Sequence, residues 1–495
     1  MRHHFIILAF LGACTAAPAP KPTPAPAAAA GVQSDTVQAK GGASVDRANL
    51  VKELDEFVGS YGRNWGEAHR FSGFVLVTHK GEAIYERGFG FADQQSRRPN
   101  TATTSFRIGS VTKQFTATAI LKLEQDGKLA VTDTIGKHLP DYPAVGRDIT
   151  IHQLLTHTSG IPSYTGFPEI MKNRAQPIAL ADLVASFSSR PLEFKPGEKF
   201  NYSNSGYIVL GAIIEAASGQ DYATYMKRHI FEPAGLRDTV VGDAPDAADR
   251  ALAYEVKDDQ VVPAHAIDMS VPHAAGAVRS TARDLVAWHR VLAGESILSA
   301  ASKDKMYRPE KDNYAYGWTL HELDGHRIIS HGGGIDGFLT GYRRVMDADL
   351  VVVVWSNRSS RDVGKIAGNA VKAAFGADLP LADEPERVPF DATLVPRVAG
   401  SYQLSDAGRK QLTSVGVPSA AIDSLATIEV SGTAKGLIFK PAGQPEIALV
   451  QTGPGTFTNA SGGIEASFDL PGTTDKATGF TLKQGPMAVP YQRKD

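Results

Sequence analysis

Segments that read as strands lie far apart in this chain, with a block of helical patterns between them. Residues 71–91, FSGFVLVTHKGEAIYERGFGF, read as a hairpin, with strands over 74–77 and 83–88 and a turn at His79-Lys80-Gly81. Strand patterns return at 313–320, 327–330, 341–345 and 350–355, the last being the apolar run LVVVVW. In between, 110–125 reads as a helix, because Val111, Phe115, Ala119 and Leu123 recur at every fourth position and Gly127 sits where a C-cap belongs. Helical patterns broken by Pro and Gly fill 128–270, a helix over 50–58 precedes the hairpin, and another over 362–376 follows the last strand. The expectation is an α/β fold in which distant segments form one antiparallel sheet flanked by helices, with an inserted all-helical lobe. A cleft between two such lobes is a natural place for a site.

The remaining segments divide the 495 residues. Residues 1–14, MRHHFIILAFLGAC, have Arg2, a short apolar stretch, the small residues Gly12 and Ala13, and then Cys14, the only cysteine. This is the layout of an export signal, and it is similar to a bacterial lipoprotein signal cut before a lipidated cysteine. An ordinary secretory signal cut within 15–17 is the alternative. Residues 15–44 read as a Pro/Ala-rich and polar linker, 45–378 as the main domain, 379–396 as a second linker and 397–495 as a small β domain. The expected location is therefore periplasmic or cell-envelope, membrane-anchored through Cys14. Lys plus Arg total 51 and Asp plus Glu 53, which argues against nucleic-acid binding by bulk charge. One cysteine excludes an intrachain disulfide and a Cys-based metal site. No cofactor, metal or obligate protein partner is indicated.

Three short motifs carry chemistry. Ser110 and Lys113, in FRIGSVTKQFT, are three apart at a predicted helix start, which puts both side chains on one face of a turn. A serine hydroxyl needs a neighbouring base, and a lysine can serve if burial lowers its pKa. The same spacing recurs at Ser302 and Lys305, but in a charged stretch that reads as solvated surface. Next comes Asn201-Tyr202-Ser203-Asn204, in a loop before an apolar helix. Tyr202 can accept the serine proton as a phenolate, given a cation such as Lys113 beside it, or relay it with Lys113. Asn204 can hold the lysine and a substrate amide. Last is His331-Gly332-Gly333-Gly334, after a short strand, where glycines let a substrate lie along the strand edge. The N–H groups of Ser110 and Gly334 are candidate oxyanion donors.

In this order, Ser-x-x-Lys, Tyr-Ser-Asn and His-Gly-Gly resemble the serine β-lactamase and penicillin-binding-protein group, on the side of class C β-lactamases, D-Ala-D-Ala carboxypeptidases, D-aminopeptidases and esterases. The stretches 71–93, 151–164, 276–292 and 316–320 are similar to that family as well, and the resemblance covers about residues 50–378. It implies an acyl-enzyme on Ser110, with Lys113 and Tyr202 activating the serine and passing the proton on. Which of the two is the formal base stays open. His331 stands where class C β-lactamases carry lysine, which favours peptidase or esterase over β-lactamase, although a charged histidine can recognise a carboxylate. The C-terminal part resembles small lipocalin-like β domains. The substrates implied are a D-amino-acid peptide, an ester or a β-lactam.

The competing readings rest on less. No Gly-x-Ser-x-Gly occurs, His157 beside Thr158 and Ser159 reads as structural, and His321 and His326 do not form His-Glu-x-x-His. A non-catalytic binding or scaffold protein on the same fold is the alternative function, opposed by the presence of Ser110, Lys113, Tyr202 and Asn204 together.

Overall fold

A computed structural model describes residues 45–243, 249–257, 259–358, 363–382, 386–414, 422–423, 425–442, 446–459, 464–484 and 487–494. The signal segment, Cys14 and the 15–44 linker lie outside the described residues. In chain order the elements that position the site are α1 (Arg47–Ser60), β1 (Gly73–His79), β2 (Glu82–Phe89), α2 (Thr112–Gln125) and α3 (Asn204–Ser218). A hairpin follows, β3 (Tyr254–Lys257) and β4 (Gln260–Pro263), then α4 (Ala282–Ala293). Strands β5 (Thr319–Leu323), β6 (His326–Ile335), β7 (Phe338–Val345) and β8 (Leu350–Ser356) lead to α5 (Val363–Ala374).

The six-stranded antiparallel sheet has the order β5-β6-β7-β8-β1-β2. Strands from both ends of the domain meet at its centre, where Gly73 pairs with Ser356 and His79 with Leu350. The run LVVVVW is apolar throughout because β8 is covered on both faces. Leu350, Val352 and Val354 join α1 and α5 in one core, while Val351, Val353 and Trp355 face the helical lobe with α2 and α4 in another. Side chains alternate across a strand, so one continuous apolar segment supplies two cores. The hairpin turn between β1 and β2 narrows to Lys80 and Gly81, both with positive φ, and His79 belongs to β1.

Three expectations change. Residues 313–318 are not strand: Asp312 and Asn313 take positive φ, which breaks an extended chain, and β5 begins only at Thr319. The glycine motif does not follow a short strand but lies inside the ten-residue β6. The 128–270 stretch is not purely helical, since it contains the β3–β4 hairpin.

Beyond 398 the chain forms a closed eight-stranded antiparallel barrel, from Gly400–Leu404 to Met487–Arg493, each strand pairing with the next and the last with the first. A helix, Asp406–Ser414, accompanies it. Phe439, Phe457, Phe468, Phe480, Tyr402 and Tyr491 pack ring against ring inside. A void of about 10 Å³ remains beside Phe439 and Leu449, less than a small ligand needs. No helix of the described residues is long and apolar enough to cross a membrane.

Leu350 is fully buried and Val51 is 38% exposed. Leu350→Ala is expected to destabilise by about 2–5 kcal/mol, and Val51→Ala by under about 0.5 kcal/mol. Urea unfolding followed by tryptophan fluorescence checks this, because Trp65, Trp288, Trp318 and Trp355, the chain's 4 tryptophans, all precede the barrel.

Candidate active site

Ser110 sits on a single 3-10 turn, Gly109–Val111, that leads directly into α2. Gly109 has a φ of +51°, and a Cβ there would come 2.9 Å from the Gly334 nitrogen. A Cβ on Gly333 would come 2.1 Å from the Ile108 carbonyl oxygen and 3.2 Å from the Ser110 nitrogen. Both positions therefore need glycine for β6 to press against the serine turn. That contact brings the N–H groups of Ser110 and Gly334, the candidate oxyanion donors, to the same place. Strand β5 pairs with β6 only as far as Ser330, so His331–Ile335 keep β7 on one side and an open edge on the other.

One turn on, Lys113 is fully buried. Its Nζ lies 3.0 Å from Ser110 Oγ, 2.8 Å from Asn204 Oδ1 and 2.8 Å from the Ala275 carbonyl oxygen. Burial alone pushes its pKa well below the usual lysine range. The two oxygens of Asn204 and Ala275 can only accept, so they take N–H groups. In the neutral amine the remaining position is a lone pair, directed at the Ser110 hydroxyl.

Asn204 is the first residue of α3, and Ser203 is its N-cap. Its backbone N–H donates to Ser163 Oγ at 3.1 Å and its Nδ2 to Thr165 Oγ1 at 3.3 Å, which turns Oδ1 toward Lys113. Tyr202 is half-buried, with its ring centroid 4.9 Å from Lys113 Nζ. Burial raises its pKa, and the hydrogen bond with Ser110 only partly offsets this. Burial thus opposes the phenolate form in which Tyr202 would accept the serine proton.

His331 also departs from expectation. Its Nδ1 lies 2.6 Å from the Gly332 carbonyl oxygen and so carries the proton, leaving Nε2 to accept from the Tyr314 hydroxyl at 3.0 Å. Burial, reinforced by Lys113, lowers its pKa to about 4. It is neutral near pH 7 and offers a carboxylate no charge. His157 has a φ of +55°, accepts from the Ser203 N–H at 3.1 Å, and stacks under Tyr202 at 4.1 Å between ring centroids. Burial is the main cause that pushes its pKa well down.

The cleft above Ser110 has a volume of about 420 Å³. Ser110, Asn204 and Gly334 form its floor, and Tyr164, Thr165 and Met171 one wall. No residue of 308–316 belongs to the lining. Tyr314 from that stretch instead lies beneath, between His157 and His331. Another part of the lining comes from Glu255, Ala264, His265 and Ile267, on and just after the β3–β4 hairpin. No Lys or Arg lines the cleft among the described residues. Tyr314 and the hairpin were missed by the sequence reading; only the hairpin left a signal, the pattern YEVK-DD-QVVP. Elsewhere, Ser302 is buried rather than solvated, and Lys305 pairs with Glu124 at 2.8 Å. His321 lies 3.2 Å from Arg343, and His326 2.9 Å from Asp347. Among the described residues no three His, Cys, Asp or Glu gather as metal ligands.

Ser110, Lys113 and Asn204 thus meet where α2 and α3 pack together. The chain belongs to the Beta-lactamase family, whose model matches residues 48–376. Members of this family are serine hydrolases. A penicillin-binding protein of Bacillus subtilis (strain 168) is 31% identical over 378 residues, 70% of this chain and 83% of that protein. A D-stereospecific amidohydrolase from Streptomyces sp. is 27% identical with a TM-score of 0.54, over 67% of this chain and 99% of its own. The fold alone is shared with the octameric penicillin-binding protein homologue from Pyrococcus abyssi, 24% identical with a TM-score of 0.59. That likeness covers 89% of this chain and 100% of the other.

His273, His321 and His331 each have a pKa lowered to about 4 by burial, against an ordinary 6.5. The folded state binds fewer protons than the unfolded one across that window, so stability rises with pH through it. Thermal melts from pH 7 down to pH 4.5 are expected to show a falling Tm, with roughly tenfold per pH unit per histidine lost from the folding equilibrium below 6.5. A Tm that holds level over that range contradicts the assignment.

Proposed function

We propose that the protein is an extracytoplasmic serine hydrolase that cleaves amides or esters through an acyl-enzyme on Ser110. The observation that carries this reading is the three-way hydrogen bonding of a fully buried Lys113, whose pKa is lowered with no acidic partner. Neutral Lys113 takes the Ser110 proton while Oγ attacks the substrate carbonyl carbon. Negative charge on the carbonyl oxygen is met by the N–H groups of Ser110 and Gly334. The proton passes from Lys113, with Tyr202 as a neutral relay, to the departing nitrogen or oxygen as the carbon–heteroatom bond breaks. Water then attacks the acyl ester, giving its proton to Lys113, and Ser110 Oγ recovers a proton as the carboxylic acid leaves. Lys113 is the base here and Tyr202 the relay, because burial favours the neutral form of both.

Neutral His331, the side-chain-free Gly333 and Gly334, and a cleft lined by no Lys or Arg favour a substrate without a carboxylate at the strand edge. An amide or ester thus ranks ahead of a β-lactam. The likeness to a D-stereospecific amidohydrolase makes D-amino-acid amides the first substrates to try. The sequence of residues 1–14 supports export, with Cys14 as the lipid-bearing residue.

Fluorophosphonate labelling read by intact mass is expected to add one adduct to the wild type and none to Ser110→Ala. Lys113→Ala is expected to slow acylation by about 10²–10⁴-fold. The acylation rate should fall on the acid side, where Lys113 gains a proton and loses its lone pair. Equal labelling of all three proteins refutes the mechanism and favours a binding or scaffold role. Cys14→Ser is expected to move the protein from the detergent phase to the aqueous phase; unchanged partitioning refutes the anchor.

A further inference from the structure

The β3–β4 hairpin forms one wall of the cleft, yet its turn is held by a residue outside the catalytic domain. Tyr254 pairs with Pro263 at its base and Lys257 with Gln260 at its tip. Asp259, in the tip, has a φ of +61° and a carboxylate that faces two partners. Arg387, on the segment leading to the barrel, donates to both of its oxygens, NH1 to Oδ2 at 2.8 Å and NH2 to Oδ1 at 2.7 Å. His69 Nε2, from the fully buried His69, lies 2.8 Å from Oδ1. The Arg387 guanidinium also lies 4.2 Å from the centre of the Trp65 ring. A forked pair of this kind fixes direction as well as distance.

The base of the hairpin carries this restraint into the cleft. The Ala264 N–H donates to the Ala253 carbonyl oxygen at 3.0 Å, and the Tyr254 N–H to that of Asn357 at 2.9 Å. Gly337, in the β6–β7 turn that also lines the cleft, has a φ of +82°. A Cβ on Gly337 would come 2.7 Å from the Cβ atoms of both Ala253 and Ala264, so turn and hairpin touch with no room between them. From the same hairpin and the residues that follow it come Glu255, Ala264, His265 and Ile267, which line the cleft together with Tyr164 and Met171. Glu255 is held by His265 at 3.0 Å. Residue 387 lies beyond the 48–376 stretch matched by the family model.

We propose that Arg387 is a positioning residue for substrate selection: by clamping Asp259 it fixes the β3–β4 hairpin and so the width of the cleft that receives the acyl group. The C-terminal extension thereby takes part in choosing the substrate without touching it. The clamp acts on bulky acyl groups, which must press against Glu255, His265 and Ile267, and leaves small ones indifferent. This rests on the hydrolase reading above, and its test separates the two.

The test uses the full-length chain as wild type, Arg387→Ala, Arg387→Lys, Asp259→Asn and the Arg387→Ala/Asp259→Asn double variant. Kinetics are measured with p-nitrophenyl acetate as the small substrate and D-phenylalanine p-nitroanilide as the bulky one. The pair is part-exposed, so the ratio of the two kcat/KM values is expected to shift by about two- to fivefold in Arg387→Ala, through KM for the bulky substrate. Asp259→Asn should match it, the double variant should add nothing more, and Arg387→Lys should recover part of the ratio. In parallel, hydrogen exchange over 254–267 should be faster in Arg387→Ala, and exchange in α2 unchanged. An unaltered ratio, or unaltered exchange over 254–267, overturns the proposal even if Tm falls, since a merely structural role lowers Tm alone. A wild type that neither labels at Ser110 nor turns over refutes the hydrolase reading instead, and the exchange comparison then decides the clamp by itself.

Discussion

A lysine amine enclosed without a carboxylate partner is the constraint on which this structure turns. An ammonium group in that position would lack the hydration that water gives it, and the protein supplies only carbonyl and hydroxyl oxygens in exchange. The neutral amine is the form that fits, and it fits only while three separate pieces of chain stay in place. The Ser110 turn and α2 bring the amine beside the hydroxyl, α3 brings Asn204, and the segment ending at Ala275 brings a carbonyl. Those pieces are distant in sequence, so the chemistry of one nitrogen depends on the packing of the whole helical lobe.

The sheet imposes the complementary constraint. In the proposed mechanism a strand must pass close enough to the serine turn for backbone N–H groups from both to reach one oxygen, and any side chain on the inner face would prevent that. Gly333 meets this need against Ile108, and Gly109 meets it from the other side. The strand's edge must also stay open there. It does so because positive φ at Asp312 and Asn313 delays the neighbouring strand until Thr319, opposite Ser330. The turn that spoiled the expected strand over 313–320 is thus what exposes the edge of β6.

This explains what was readable in advance. The strand over 350–355 was visible because Leu350 to Trp355 is apolar at every position, and the Ser110–Lys113 pair because helical spacing fixes their common face. The protonation states were not readable. Tyr202 and His331 take theirs above all from burial, which is a property of the assembled site and not of any local pattern. Tyr314 was hidden for a similar reason. Its partners His157 and His331 lie 157 and 17 positions away. The β3–β4 hairpin was overlooked because its strands are short and its tip acidic, so the segment reads as a polar loop between helices.

The barrel poses the remaining question of what an appended β domain contributes. Among its described residues six aromatic rings pack together inside the closed sheet, beside a void of about 10 Å³. The attachment is well anchored: the Leu379 N–H donates to Glu53 at 2.7 Å, the Ala382 N–H to Ser60 at 2.7 Å, and Arg387 grips Asp259. These bonds follow the catalytic domain from α1 to the hairpin that walls the cleft. The segment joining the two domains is therefore built as a strap over the domain it leaves, and a strap that ends on a cleft wall gives the extension a mechanical route to the site.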